Sequence, residues 1–200
     1  MGPLGTRDGG GIPAGAPEAG AETFKARGGE ITLIKGELPA VADLDIVSHG
    51  AEQTRRLGAH LGKFLQPGDL LLLEGDFGSG KTTFTQGIAQ GLGIDARYVN
   101  SPTFTLINEY DGERAHLSHI DLYRLEGDEQ VATLGLDDYL SGDGVTVIEW
   151  PLGAAAWLPD EYLMVRFWHL SETKRTLRFW ALGARYRELV EQFKKDAYGA

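Results

Sequence analysis

The sequence contains no cysteine, which excludes a disulfide framework and any metal site built on thiolates. It also contains no apolar run near the roughly 20 residues that a helix needs to span a bilayer. Its N-terminal residues lack the apolar core of a signal peptide. We therefore expect no membrane segment and a cytoplasmic protein.

Positive charge is scarce. The chain has 19 Lys and Arg against 29 Asp and Glu, so its formal net charge is −10. Because affinity for nucleic acid depends on clustered Lys and Arg, such a chain is poorly suited to hold RNA or DNA alone. Any nucleic-acid role is expected to act through a partner protein.

Large apolar residues are almost absent from the first 29 residues, which contain nine glycines and three prolines. Such a segment buries too little surface to offset the entropy lost on ordering. We predict a disordered Gly/Pro-rich N-terminal extension over residues 1–30 and one folded domain over residues 31–200.

The folded part contains a G-x-x-x-x-G-K-T stretch, from Gly75 to Thr82. The apolar run Leu70–Leu73 precedes it and a predicted helix follows, which is the strand, loop and helix context of a phosphate-binding loop. Glycines let consecutive backbone N–H groups turn inward, and with the helix N-terminus they form a cradle for anionic oxygens. A plain glycine-rich turn from strand to helix is the alternative.

Two side chains of this loop carry specific chemistry. Lys81 is placed to reach the β- and γ-phosphates of a nucleotide. The Thr82 hydroxyl is placed to ligate a magnesium ion that bridges the same phosphates. A guanine-specific Asn/Thr-Lys-x-Asp stretch is absent from the sequence, which favours ATP over GTP.

Phosphoryl transfer also needs a carboxylate on the metal or its water shell and a group that positions the attacking atom. Asp121 follows His119-Ile120, and Glu149 follows the mostly apolar run Val145–Ile148. Both acids occupy predicted strand ends, where open α/β sheets bind ligands. Glu149 fits the pattern better; a solvent-exposed acid at a strand end is the alternative for each.

Other polar and aromatic residues are candidates on weaker signals. Ser101, Thr103 and Thr105 form a polar loop of the kind that senses a γ-phosphate, although a plain loop fits equally well. Trp150 would stack on a ligand or partner, or pack in the core or at its rim.

Periodicity and turn residues predict the remaining elements. Ser48 is the predicted N-cap of the first helix. The predicted strands are 31–35, 44–47, 103–110, 117–123, 145–148, 162–170 and 176–181, and the predicted helices are 51–65, 129–140 and 184–195, besides the one after the glycine-rich loop.

Four stretches carry a resemblance to a known family: Gly75–Thr83, Ser101–Leu106, His119–Arg124 and Val147–Pro151. In order and spacing they resemble TsaE, the small ATPase of bacterial tRNA threonylcarbamoyladenosine biosynthesis. The resemblance runs from about Ser48 to about Trp180. The glycine-rich loop alone is generic, whereas the S-P-T-aromatic-T-L, D-L-Y-R and E-W-P stretches together are specific. Phe77 and Ser79 depart from the Leu and Ala that the family often has.

The resemblance implies a fold and a role. The fold is a single α/β domain of the P-loop NTPase type, with three layers and a mixed β-sheet. The role is Mg²⁺-dependent binding and slow hydrolysis of ATP, together with the partner proteins TsaD and TsaB. TsaD modifies the adenosine beside the anticodon in tRNAs that read codons beginning with A, so this chain would meet tRNA only through the complex. ATP hydrolysis would reset that complex between turnovers.

The resemblance also implies site residues. Asp121 and Glu149 would be catalytic, and Thr82, Glu149 and Asp121 would be linked to magnesium. The segment Ser101–Thr105 would sense the nucleotide. The residues that would bind the nucleotide are Gly75, Gly78, Ser79, Gly80, Lys81, Thr82, Thr83 and Thr103.

Two other functions remain open at this point. A stand-alone P-loop small-molecule kinase would close an Arg-rich lid over the phosphates, and no such insertion is visible in the sequence. A nucleotide-gated interaction module would bind ATP and change its affinity for a partner without hydrolysis.

Overall fold

The computed structural model describes residues 38–125 and 128–199 and, before them, two short strands, β1 (Thr23–Ala26) and β2 (Gly29–Thr32). These two strands pair antiparallel in a separate two-stranded sheet. Apart from them, the predicted disordered extension, residues 1–30, lies outside the described residues. The predicted strand 31–35 overlaps β2 at Ile31 and Thr32, and its other residues also lie outside the described part.

A seven-stranded mixed sheet forms the centre of the domain. Its strands are β3 (Leu44–Ser48), β4 (Leu70–Gly75), β5 (Ile107–Tyr110), β6 (Leu117–Asp121), β7 (Val145–Glu149), β8 (Tyr162–His169) and β9 (Arg175–Leu182). Their order is β3-β9-β8-β4-β7-β6-β5. The four central strands are parallel, and the strands at both edges are antiparallel to their neighbours. The expected mixed sheet is confirmed.

Helices cover both faces of this sheet. They are α1 (Ala51–Gly62), α2 (Lys81–Gly91), α3 (Asp128–Ala132), α4 (Leu136–Leu140) and α5 (Ala184–Tyr198). Residues of α1, α2 and α5 join one buried apolar cluster, and residues of α3, α4 and the 3-10 turn Pro151–Ala154 join the other. The domain therefore has three layers, as expected. None of the described helices is long and apolar enough to cross a membrane.

Strand β4 shows why the leucine run is continuous. Leu71 and Leu73 pack into the first cluster, and Leu70 and Leu72 pack into the second. A parallel strand with helices on both faces has no solvent-facing side, so its sequence does not alternate between apolar and polar residues. This burial fixes the strand that leads into the glycine-rich loop.

Helices α1 and α2 touch at their backbones. A Cβ added to Gly58 would lie 2.2 Å from the Phe84 carbonyl oxygen, and one added to Gly87 would lie 2.0 Å from the Arg55 carbonyl oxygen. Further along the two helices, a Cβ on Gly62 or Gly91 would lie 2.5 Å or 2.6 Å from a carbonyl oxygen of the facing helix. The four glycines therefore hold α2, which follows the glycine-rich loop, against α1.

Three local predictions were wrong. The predicted strand 103–110 begins only at Ile107, because residues 103–105 form a turn and Leu106 has a left-handed φ of 67°. The predicted helix 129–140 is two short helices, which separate at Gly135 with a φ of 64°. The N-cap of α1 is Gly50 and not Ser48, whose hydroxyl instead donates to the Gly50 carbonyl.

Candidate functional site

The stretch Gly75–Thr82, named here the glycine loop, joins β4 to α2. Gly75, Gly78 and Gly80 have φ values of 148°, 70° and 106°, which glycine adopts far more easily than other residues. Space is also limiting at Gly75, where a Cβ would lie 2.6 Å from the Phe167 carbonyl oxygen. The backbone of the glycine loop thus favours glycine at all three positions, most strongly at Gly75.

The glycine loop ends at the N-terminus of α2. Gly80 is the N-cap and supplies no side-chain hydrogen bond to the first turn, which contains no acidic residue. The first backbone N–H groups of a helix have no partner within the helix, and they lie at the positive end of its dipole. The loop and this helix end together form a cradle suited to an anion.

Lys81 is a buried cation in this cradle. Its Nζ donates to the carbonyl oxygens of Gly75 at 2.7 Å and Asp76 at 3.0 Å, and lies 4.2 Å from the centroid of the Trp150 ring. Burial lowers the pKa of Lys81, and the nearby carboxylates, Glu149 first, oppose that shift. Buried charges are normally paired, so the carbonyl contacts leave Lys81 ready for an anionic ligand.

The two candidate carboxylates lie side by side. Asp121 and Glu149 are register partners at the ends of the parallel strands β6 and β7, and Glu149 is also the register partner of Leu73 on β4. Both acids are buried, at 2% and 3% exposure. The solvent-exposed alternative that the sequence left open is therefore excluded for each.

Glu149 is held by two side chains. Its Oε1 accepts a hydrogen bond from the Thr82 hydroxyl at 2.9 Å and lies 2.9 Å from Nε2 of His119. His119 is fully buried, and its Nδ1 has no hydrogen-bond partner among the described residues. A hydrogen-bonded series of side chains thus connects the glycine loop to β7 and β6 through Thr82, Glu149 and His119.

The sequence analysis assigned His119 no role. Its position two residues before Asp121 could have indicated one, because residues two apart on a strand share a face. His119 therefore lies on the same face of β6 as Asp121, which had been singled out.

Asp121 is held by the polar loop. Its Oδ2 accepts hydrogen bonds from the hydroxyls of Thr103 at 2.5 Å and Ser101 at 3.4 Å, and its Oδ1 accepts one from the Tyr123 N–H at 3.0 Å. Thr105 instead contacts Asn108. Two of the three hydroxyls predicted in this loop therefore join the site.

A cavity of about 150 Å³ opens between the glycine loop and the two carboxylates. Of the predicted site residues, Gly75 and Ser79 do not line it; Ser79 is fully buried, and its hydroxyl has no partner among the described residues. The lining residues are Phe77, Gly78, Gly80, Lys81, Thr82, Thr83, Ser101, Thr103, Asp121, Glu149 and Trp150.

Aromatic rings form the rim of this cavity. The Tyr123 ring centroid lies 4.6 Å from that of Phe77 and 5.0 Å from that of Trp150. Trp150 thus lies at the rim of the cavity and against Lys81, and not in the core. Arg124 lies over the ring of Phe104, at 5.3 Å from its centroid, and makes no hydrogen bond to Asp121 among those described.

The family described as threonylcarbamoyl adenosine biosynthesis protein TsaE has a sequence model that matches residues 48–177. The chain belongs to the TsaE family. The matched range contains the glycine loop, the polar loop and both carboxylates, so the site described above lies within the part that defines the family.

Named relatives agree with this assignment to TsaE. A protein from Bacillus subtilis is 44% identical over 72% of this chain and 89% of its own length. One from Treponema pallidum is 38% identical over 66% of this chain and 96% of its own length. Both are named tRNA threonylcarbamoyladenosine biosynthesis protein TsaE, so the family is one of tRNA threonylcarbamoyladenosine biosynthesis.

A solved structure shows the same fold. The crystal structure of Bacillus subtilis YdiB is 37% identical to this chain and superposes with a TM-score of 0.65, covering 76% of this chain and 94% of YdiB.

Proposed function

We propose that this chain is a Mg²⁺-dependent ATPase subunit of tRNA threonylcarbamoyladenosine biosynthesis that acts with TsaD and TsaB. The observation that carries the proposal is the placement of two buried carboxylates, Asp121 and Glu149, beside an anion cradle that contains the buried Lys81. A cation for phosphates on one side and carboxylates for a metal on the other are the two parts that phosphoryl transfer requires.

The glycine loop is suited to a polyphosphate. Its left-handed glycines and the N-terminus of α2 supply backbone N–H donors, and Lys81 supplies a positive charge whose described hydrogen bonds go to carbonyl oxygens. We assign the phosphate contacts to Gly78, Gly80, Lys81, Thr82 and Thr83, all of which line the cavity. Gly75 and Ser79 do not line the cavity, so we assign them a supporting role in the conformation of the loop.

The side of the cavity formed by β6 and β7 is suited to Mg²⁺. The Thr82 hydroxyl and the carboxylates of Glu149 and Asp121 are oxygen ligands, which this ion prefers. Among the described residues, no group of three or more His, Cys, Asp and Glu side chains could hold a metal ion. Mg²⁺ commonly takes only one or two protein carboxylates and completes its shell with phosphates and water, so this donor set fits. When bound with ATP, Mg²⁺ neutralises charge on the phosphates.

The two carboxylates have different tasks in this proposal. Glu149 hydrogen-bonds to Thr82 and lies against His119, which keeps its carboxylate on the metal side. Asp121 helps to position the metal or a water molecule. Its Oδ2 accepts hydrogen bonds from the hydroxyls of Ser101 and Thr103, so a shift of its carboxylate on nucleotide binding would also move the polar loop. The polar loop would thereby sense whether a γ-phosphate is present.

The acidic balance bears on how the chain would meet tRNA. A chain with a net charge of −10 is poorly suited to bind tRNA by itself, so we propose that its partners make the direct contact. We also propose that the complex acts in the cytoplasm.

Calorimetric titration of Lys81→Ala with Mg²⁺ and ATP tests the nucleotide site. Removing the buried charge is expected to lower ATP affinity at least about a hundredfold, because hydrogen bonds to charged groups contribute about 1.5–3 kcal/mol each and Lys81 has several donors. Lys63→Ala is the matched control, since Lys63 is half-exposed at the end of α1 and pairs with Asp196. Unchanged ATP affinity in Lys81→Ala would contradict the proposal.

A further inference from the structure

Arg175 is a buried arginine on the flank of the glycine loop that lies away from the carboxylates. It opens β9 and is the register partner of Ser48 on β3 and of His169 on β8. In the sheet, β9 lies two strands from β4 on one side, whereas β7 and β6 lie on the other. Arg175 and the two carboxylates therefore approach the loop from opposite sides, and Arg175, unlike the carboxylates, is not among the residues that line the cavity.

The Arg175 side chain lies directly against the glycine loop. A Cβ placed on Gly80 would be 3.3 Å from Cδ and 3.5 Å from Nε of Arg175, closer at Cδ than such contacts normally are. Gly80 is the N-cap of α2, so the arginine lies beside the backbone that opens the anion cradle. A side chain at Gly80 would crowd the arginine.

The charge of Arg175 is not satisfied within the described residues. The residue is only 9% exposed, its Nε has no hydrogen-bond partner there, and its Nη1 donates to the Thr173 carbonyl at 3.2 Å. Buried guanidinium groups are normally paired with carboxylates. Elsewhere in the fold, Arg185 has such a partner in Asp69, and even the half-exposed Arg178 on β9 pairs with Asp45.

We propose that Arg175 is a further phosphate-binding residue, which holds the nucleotide on the flank of the glycine loop away from the carboxylates. The inference rests on the proposed function, because the anion that completes the arginine is a phosphate in the same cradle. Phosphate is the anion for which a guanidinium beside a helix N-terminus is best suited.

The two flanks then have separate tasks. The metal and the γ-phosphate are bound on the side of Thr82, Asp121 and Glu149. Arg175 binds a phosphate that ATP and ADP have in common. The contribution of Arg175 to affinity is therefore expected to be equal for ATP and ADP, and it is expected to persist without Mg²⁺.

Titration of Arg175→Met with ATP and with ADP, each with and without Mg²⁺, tests this assignment. Affinity for both nucleotides is expected to fall by the same factor, about tenfold to a hundredfold, since charge-assisted hydrogen bonds are the strong ones. Arg175→Lys keeps the charge and is expected to recover part of the loss. Arg178→Met is the matched control on the same strand, because Arg178 is half-exposed and pairs with Asp45, and it is expected to bind as the wild type does.

The outcomes separate this inference from the proposed function. A wild-type chain that binds neither nucleotide would overturn both. Wild-type binding that Arg175→Met leaves unchanged overturns only the role of Arg175. A loss confined to ATP also contradicts it, because it would place Arg175 on the terminal phosphate.

A spectroscopic test uses the unaltered protein and does not depend on whether a variant folds. The Nε–H resonance of Arg175, assigned through its side-chain carbons in isotope-labelled protein, is followed during an ADP titration. We expect this resonance to shift and its exchange with water to slow at saturation, while the Nε–H resonance of Arg178 stays in place. An Arg175 resonance that does not move at saturating ADP refutes the assignment.

Discussion

At the scale of single residues, two arginines outside the site have a carboxylate partner, whereas Lys81 in the site donates to carbonyl oxygens. Arg185 is held by Asp69 and Arg166 by Glu74, both at 2.6 Å, so these pairs are complete within the fold. Lys81 instead donates to carbonyl oxygens, and its positive charge remains available to a ligand. Nearby carboxylates, Glu149 first, favour the charged form of Lys81, but it forms no direct ion pair among the described residues, which points to the binding of an anion.

Glu149→Gln separates the binding of ATP from its hydrolysis. Glutamine keeps the size of the side chain and an oxygen for Thr82, but it removes the negative charge. Hydrolysis is expected to fall at least about a hundredfold, the range of general acid–base and metal-positioning groups, while ATP affinity changes only a few-fold. Phosphate release and calorimetry on the same samples measure the two quantities. Glu109→Gln is the matched control, since Glu109 is exposed on β5.

Two results of that experiment would contradict the account. Normal hydrolysis by Glu149→Gln would show that the carboxylate is not catalytic. Lost hydrolysis in a complex that still modifies tRNA at the normal rate would favour a nucleotide-gated interaction module.

Part of the site could be read from local sequence, and part could not. Lys81 and Thr82 follow from a contiguous motif, and Asp121 and Glu149 follow from the rule that ligands bind at strand ends. The pairing of His119 with Glu149 spans 30 residues, and Arg175 meets Gly80 only because β9 folds back beside β8. Such contacts depend on the strand order, which no local pattern encodes.

Secondary-structure elements show the same division. The hairpins β5–β6 and β8–β9 were predictable from alternation and turns, because their strands are close in the sequence. The start of β5 was predicted too early, since residues 103–105 form a turn that the Leu106 N–H closes on the Pro102 carbonyl, and the Thr103 hydroxyl donates to Asp121. There the turn and its side-chain hydrogen bond override the strand preference of the sequence.

The close contact between α1 and α2 predicts that a larger residue at Gly87 destabilises the fold. Gly87→Ala would place a Cβ 2.0 Å from the Arg55 carbonyl oxygen and force the helices apart. We expect the free energy of unfolding to fall by about 1–3 kcal/mol, despite the better helix propensity of alanine. Urea unfolding measures it.

Gly153→Ala is the control for that experiment. A Cβ at Gly153 would lie 3.7 Å from its nearest neighbour, an ordinary contact, so stability is expected to change by less than about 0.5 kcal/mol. Equal stability of the wild type and Gly87→Ala would show that α1 and α2 can separate without cost.

At the scale of the whole molecule, the strand order explains where the site lies. Strand β4 has β8 on one side and β7 on the other. The chain forms β5, β6 and β7 on the β7 side first, and only then β8 and β9 on the opposite side. Open α/β sheets bind ligands at the carboxyl ends of strands where the connections diverge in this way. The fold class was predictable from the family resemblance that the four stretches between Gly75 and Pro151 carry. The pairing of β3 with β9 was not, because more than a hundred residues separate them.

In the proposed function, ATP hydrolysis by this chain is coupled to TsaD and TsaB. Phosphate release by the purified chain is therefore measured alone and with the TsaD–TsaB pair, with Lys81→Ala as the inactive control. We expect slow release by the chain alone and a changed rate when the pair is present. A rate indifferent to the pair, or a phosphorylated small molecule formed in place of free phosphate, would contradict it.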